Sequence, residues 1–223
     1  MQSSSAKLYM LDLRPFFTAH RWRSFLPLLP ERRAHRALAC RSEEDSARLA
    51  GVGWLLQQAL ILSGIPAERQ IFSENAWGKP FLPGGPSFSL SHAGPYALCA
   101  VAPLPVGVDV EAPRCTMELA VRCFHPNEIA FLQTLASDAQ QDTLCRLWTA
   151  KEAYTKMLGL GLHLPLRSFW VDLSGKSAVL HDKNVPSGCC LHEYRLDDGF
   201  RLCLCAVSAR PDLKFLVPDF SSI

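Results

Sequence analysis

Residues 148–161 read Trp148-Thr149-Ala150-Lys151-Glu152-Ala153-Tyr154-Thr155-Lys156-Met157-Leu158-Gly159-Leu160-Gly161. Thr149 to Leu158 is good helix-forming material, and Gly159 and Gly161 stop it. A helix is expected from about Gln141 to Leu158. Glu152 and Lys156 lie one helical turn apart on one face, with Trp148 a turn before Glu152. Alone, the pair reads as a solvated ion pair with the tryptophan in the core. Two upstream stretches weigh against so plain a reading: Gly107-Val108-Asp109-Val110-Glu111 and Phe88-Ser89-Leu90-Ser91-His92-Ala93-Gly94.

On a strand, Asp109 and Glu111 face one side while Val108 and Val110 fill the other. Carboxylates so placed repel unless they are well solvated or share a cation. The pattern is therefore either exposed alternation or a metal site. Glu152 completes an oxygen-rich set of the kind that suits Mg²⁺. Ser91-His92 has no G-x-S-x-G elbow around it, which argues against a nucleophilic serine. His92 reads better as a hydrogen-bond donor to phosphate. Lys79, between Gly78 and Pro80, is an exposed turn lysine or a second phosphate contact. Walker A and G-x-G-x-x-G patterns are absent, which excludes nucleotide binding by those motifs.

The chain has 223 residues, enough for one domain or two small ones. With 48% hydrophobic and 20% charged residues and a mean hydropathy of +0.07, it is globular rather than disordered. A net charge of +2 gives no general footprint for nucleic acid. The longest apolar run, near Val52 to Leu62, is broken by Gln57 and Gln58 and is too short for a membrane span. No secretion signal is visible at Met1 to Leu13. Nine cysteines without C-x-x-C spacing favour reduced thiols and a cytoplasmic location over a disulfide scaffold or zinc site.

Outward from these motifs, Lys7 to Leu13 is expected as an opening strand. Ser42-Glu43-Glu44-Asp45 starts a helix whose apolar side is Leu49, Trp54, Leu55, Ala59 and Leu62. The cationic run Pro30 to Arg36 before it is a solvated helix face or an anion site. Short strands follow near 70–73, 79–82, 87–90 and 96–101, then the Gly107 strand. Pro126 opens a helix, and after the key helix come strands near 168–173, 177–181, 190–196 and 201–208. Leu98-Cys99-Ala100-Val101-Ala102 is echoed by Leu204-Cys205-Ala206-Val207-Ser208, each near the end of its half. The expected architecture is α+β: two similar subdomains, 1–104 and 105–210, with a C-terminal tail at 211–223.

In this order the motifs resemble those of the 4′-phosphopantetheinyl transferases of the surfactin-synthetase-activating type. The family pattern is a W-G-K-P-like turn, F-x-(I/L)-S-H-(S/A)-G, G-(I/V)-D-(I/V)-E and W-(S/T)-x-K-E-(A/S)-(Y/F)-x-K-x-x-G-x-G. Here these are Trp77 to Pro80, Phe88 to Gly94, Gly107 to Glu111 and Trp148 to Gly161. The resemblance implies two pseudo-two-fold related α+β halves with the active site between them. It implies an enzyme that moves the phosphopantetheine arm of coenzyme A to a serine of an apo acyl, peptidyl or aryl carrier domain. Adenosine 3′,5′-bisphosphate is the other product.

Carried across by position, Asp109, Glu111 and Glu152 are expected as ligands of Mg²⁺, with Mn²⁺ the alternative ion. Glu152 is also the expected base for the carrier serine, and Lys156 the group on the diphosphate. Ser91 and His92 fall to phosphate binding, and Gly78, Lys79 and Pro80 lie by the nucleotide. Arg32 and His35 stand where the family carries basic groups for the 3′-phosphate, with Arg36 or Arg48 as substitutes. The carrier is expected between Cys115 and Gln140, near Arg114 and Arg122. A monomer acting on carriers of fatty acid, polyketide or nonribosomal peptide synthesis is implied. Two other readings use the same residues: a Mg²⁺-dependent hydrolase of coenzyme A-like diphosphates, and a carrier-binding module without catalysis.

Overall fold

The computed structural model describes residues 5–18 and 20–219. The first half contains β1 (Lys7–Asp12), α1 (Arg14–Phe17), α2 (Glu31–Leu38), α3 (Glu43–Ile61), β2 (Ser73–Glu74), β3 (Pro80–Phe81), β4 (Ser87–Ala93) and β5 (Tyr96–Ala102). The second contains β6 (Val106–Glu111), α4 (Met117–Cys123), α5 (Pro126–Gln133), α6 (Ser137–Leu158), β7 (Trp170–Asp172), β8 (Val179–His181), β9 (Cys190–Arg195) and β10 (Arg201–Ala206). The final strand, β11 (Leu213–Leu216), returns to the first half and pairs in parallel with β1. Thus 213–216, expected as part of a tail, are sheet residues, while 220–223 lie outside the described residues.

The mixed α+β architecture is as expected, and the topology shows the internal repeat directly. Each half runs strand, long helix, then a strand pair whose last member pairs back with the first. The sheet orders are β11-β1-β5-β4 and β6-β10-β9. The first echoed segment ends β5 and the second ends β10 and runs two residues past it, and these strands hold the same place in the two sheets. These strands are sandwiched by neighbours and read as nearly unbroken apolar runs, as strands buried on both faces do.

Helix α3 begins as its sequence dictates: the Ser42 side chain accepts from Asp45 N at 3.1 Å, and Glu43, Glu44 and Asp45 fill the positive first turn. Its face of Ala50, Trp54, Leu55 and Ala59 packs with Tyr9, Leu11 and Cys99 on one side of the first sheet. Leu62 lies beyond the helix at its C-cap and is exposed rather than part of that face. Helix α6 covers the second sheet in the same manner through Leu147, Ala150, Ala153, Tyr154 and Met157. It starts at Ser137, a turn before the expected Gln141.

The remaining faces of the two sheets meet in a third apolar layer, with Leu8, Met10, Leu98 and Ala100 against Val106, Val108, Val110, Leu202 and Leu204. At its edge β4 and β6 lie side by side. Here the hydroxyls of Ser87, Ser89 and Ser91 accept from the backbone N–H groups of Val106, Val108 and Val110 at 3.3, 3.0 and 3.3 Å. Alternating serines thus satisfy one edge of β6 where sheet pairing does not.

Candidate active site at the junction of the two halves

Two close approaches bring the sequence motifs together. A Cβ at Gly107 would lie 1.8 Å from the carbonyl oxygen of Ala153 and 2.4 Å from Met157 N. Only glycine lets β6 cross α6 at this distance, and the crossing sets Asp109 and Glu111 beside Glu152 and Lys156. The serine edge then adds Ser91 from β4. Ser91 Oγ donates to Asp109 Oδ1 at 2.7 Å and accepts from Lys156 Nζ at 3.0 Å, while Lys156 Nζ also donates to Asp109 Oδ1 at 2.6 Å.

Around this knot lies a cavity of about 470 Å³, lined among others by His92, Asp109, Glu111, Trp148, Glu152 and Lys156 from the motifs and by Arg33 and Arg36 from α2. Its carboxyls are held above their usual range. Burial raises Asp109, against the pull of Lys156 and Ser91. Burial and the neighbouring Asp109 charge raise Glu152 and push Glu111 up to about 7, with the Trp148 side chain bonded to Glu111. Partial burial and the Arg48 charge hold His92 below its ordinary value.

Among the described residues, Asp109 Oδ2 is buried with no hydrogen-bond partner. The three acids share the cavity but do not close on one point. Among the described residues, no three His, Cys, Asp or Glu side chains are gathered to hold an ion.

A second cavity, about 390 Å³, adjoins the first through Arg33 and Arg36 and is bordered by Arg32, Glu74, Gly78 and Pro80. Three guanidinium forks on one short helix, two of them shared between cavities, suit an anion with several phosphate groups. Arg32 is well exposed and paired with Glu74 at 3.1 Å. His35, exposed on α2, lines neither cavity. Arg48 bonds Glu44 and Asp45 at 2.5 and 2.7 Å.

The profile of the 4′-phosphopantetheinyl transferase superfamily matches residues 105–205. The 4′-phosphopantetheinyl transferase gsp of Aneurinibacillus migulanus is 33% identical over 155 residues, 69% of this chain and 65% of that protein. The 4′-phosphopantetheinyl transferase Sfp of Bacillus subtilis (strain 168) is 35% identical over 170 residues, 71% of this chain and 74% of that protein. The chain belongs to the 4′-phosphopantetheinyl transferase family. It spans about two thirds of the length of the curated relatives it matches. Among solved structures, the holo-[acyl-carrier-protein] synthase of Thermotoga maritima is similar at 24% identity with a TM-score of 0.40, over 48% of this chain and 64% of that one.

Several residues of this family member gain roles that sequence reasoning did not reach. Lys151 has no assignable role from the motif alone. Its ammonium is fully buried, donating to both carboxylate oxygens of Glu128 and to the Phe169 carbonyl, each at 2.8 Å. Glu128 in turn accepts from His125 N and Val171 N, both at 2.8 Å, and completes the capping box of α5. This pair ties α5 and β7 to α6 directly behind Glu152. Arg33 is a second such residue: its stem runs along Gly53, where a Cβ would meet Arg33 Cδ at 2.4 Å. A glycine inside a helix at a buried position is the signal that would have pointed to it. Lys79 is placed otherwise than a phosphate contact. Burial pushes it down to about 8, and its ammonium donates to the carbonyls of Lys156 and Val106 at 2.5 and 3.2 Å.

Proposed function

We propose that the protein transfers the 4′-phosphopantetheine arm of coenzyme A to a serine hydroxyl of an apo carrier domain. The observation that supports this best is the shared cavity in which three acids and Lys156 meet Arg33 and Arg36 of α2. In this reading Arg32, Arg33 and Arg36 hold the phosphates of coenzyme A, and the backbone around Gly78 and Pro80 borders its nucleotide.

The residues fit a hard divalent cation. They supply oxygen donors, carry an orphaned buried carboxylate oxygen at Asp109, and raise one another above the usual carboxylate range. Asp109, Glu111 and Glu152 would hold Mg²⁺, or Mn²⁺ in its place, and the bound ion would neutralise charge on the diphosphate. The chain's own groups do the rest. Glu152, raised by burial and by Asp109, takes the proton of the carrier serine as its oxygen attacks the pantetheine phosphorus. The bond to the outgoing phosphate of adenosine 3′,5′-bisphosphate breaks in the same displacement. Lys156 leaves Asp109 for the diphosphate and stabilises the charge there, with Ser91 and His92 as further donors.

Carrier docking falls on residues 115–140 in this reading. Helix α4 exposes Leu119 and Val121 beside Arg122, an apolar and basic strip suited to an acidic amphipathic helix. All nine cysteines are free thiols, which supports a reducing, cytoplasmic setting, and no helix among the described residues is long and apolar enough to cross a membrane. The protein acts as a monomer, since both halves of the site come from one chain. Incubation with coenzyme A, Mg²⁺ and a panel of apo acyl, peptidyl and aryl carriers, followed by intact-mass measurement, tests the proposal. Gain of the arm by at least one carrier is expected. Release of free phosphopantetheine without any carrier gain would instead establish a hydrolase.

A further inference from the structure

The turn at 75–80 borders the arginine-lined cavity, yet the polar atoms of Asn75 and Lys79 are committed to the far end of α6. Asn75 Oδ1 accepts from Trp77 N and Lys79 N at 2.9 and 2.8 Å, and its Nδ2 donates to the Gly159 carbonyl at 2.9 Å. The first two bonds shape the turn and the third fastens it to the helix stop. Lys79 then spans three elements, because its ammonium donates to the carbonyl of Lys156 in α6 and to that of Val106 in β6. The last carbonyls of a helix have no partner within it and carry the negative end of its dipole. Here the Lys156 carbonyl takes the Gly159 N–H at 3.2 Å and the Lys79 ammonium as a second, shorter partner, and the ammonium also meets the negative end of the dipole. Gly159 is in the left-handed region at φ +71, and a Cβ on it would lie 3.1 Å from both Asn75 Nδ2 and Lys79 Cδ. A side chain there would strain the backbone and press on both Asn75 and Lys79.

We propose that Asn75 and Lys79 are positioning residues, locking the end of α6, and with it Glu152 and Lys156, to the turn beside the arginine-lined cavity. The turn and the helix come from different halves of the repeat, so the lock couples the side that holds the co-substrate to the side that performs chemistry. The kinetic part of this inference rests on the transferase reading; the structural part does not.

Lys79→Met keeps the apolar stem and removes the donors. The expected result is a kcat lowered by about ten- to a hundredfold, the value of one to two charge-assisted hydrogen bonds, with KM for coenzyme A held within about threefold. Hydrogen exchange of the amides at 157–160 should accelerate, while α3 keeps its protection. Asn75→Ala should move both readouts in the same direction by less, and serves where Lys79→Met does not fold. A KM raised about tenfold with kcat intact would make Lys79 a direct co-substrate contact and overturn the proposal. Unchanged exchange at 157–160 in both variants would overturn it whatever the kinetics. If the parent protein transfers nothing to any carrier, the transferase reading fails, and the exchange measurement still decides the lock.

Discussion

At the scale of single residues, the site is a balance of charges that burial has made costly. Asp109 is held by Ser91 and Lys156 on one oxygen and left unpartnered on the other. Glu152→Gln keeps the shape and removes the proposed base, so transfer should fall by about a hundred- to ten-thousandfold with the unfolding midpoint little changed. Asp109→Ala should abolish transfer outright, measured by carrier mass, since it removes a proposed ligand and the counter-charge of Lys156. Behind the site, Lys151 and Glu128 form a fully buried pair with every bond directed. Lys151→Met strands the Glu128 carboxylate in the core and should cost about 3–5 kcal/mol in a urea titration. A loss below about 1 kcal/mol would show that the pair is not held as described.

Elements meet where glycine permits it. Gly107→Ala places a methyl group inside the backbone of α6, and the helix must move away from β6. A loss of stability well above the usual 1–3 kcal/mol of overpacking is expected, together with loss of transfer. Thermal unfolding of the variant checks it; a midpoint equal to the parent's would show that the crossing is looser.

Much at this scale was legible beforehand. The Asp109–Glu111 alternation, the capped start of α3 and the glycine stop after Leu158 each follow from local chemistry that tertiary structure leaves intact. The acids, Lys156, Ser91 and His92 do meet in one cavity. What local chemistry does not reveal is direction and partnership. Lys79 reads as a turn lysine by its neighbours, but only the fold brings two carbonyls to its ammonium. Arg33 and His35 are two residues apart on α2, and only Arg33, its stem packed along Gly53, lines the cavities. Of the strands expected near 70–73 and 79–82, the first forms instead at 73–74 and the second only at 80–81, two residues each paired in a separate two-stranded sheet.

For the whole molecule, the two halves share a layer of sheet faces and a serine-edged seam, so they should unfold together. Its pH response follows from the buried acids. Burial pushes the thiols of Cys99 and Cys203 and the phenol of Tyr154 above their ordinary values of 9.0 and 10.0. A raised folded value means the unfolded chain gives up its proton first. The stability from these groups is therefore complete below about pH 9 and drains as pH climbs toward their folded values. Lys79 and Lys151, pushed down to about 8 from 10.5 by burial, act the other way, but only up to their ordinary value. The urea midpoint should fall steeply from pH 10 to 11. A midpoint that holds or rises there would contradict the burial of these groups.

The tail's return as β11 beside β1 also belongs to this scale, since parallel pairing between chain ends leaves no local signature. The central claim is that the junction of the halves is a transferase site built on Asp109, Glu111, Glu152 and Lys156. Its most direct test is intact-mass analysis of an apo carrier incubated with coenzyme A, Mg²⁺ and either the parent protein or Glu152→Gln. The account predicts carrier bearing the phosphopantetheine arm with the parent and almost none with the variant. Equal modification by both proteins, or none by the parent across all carrier classes, would contradict it.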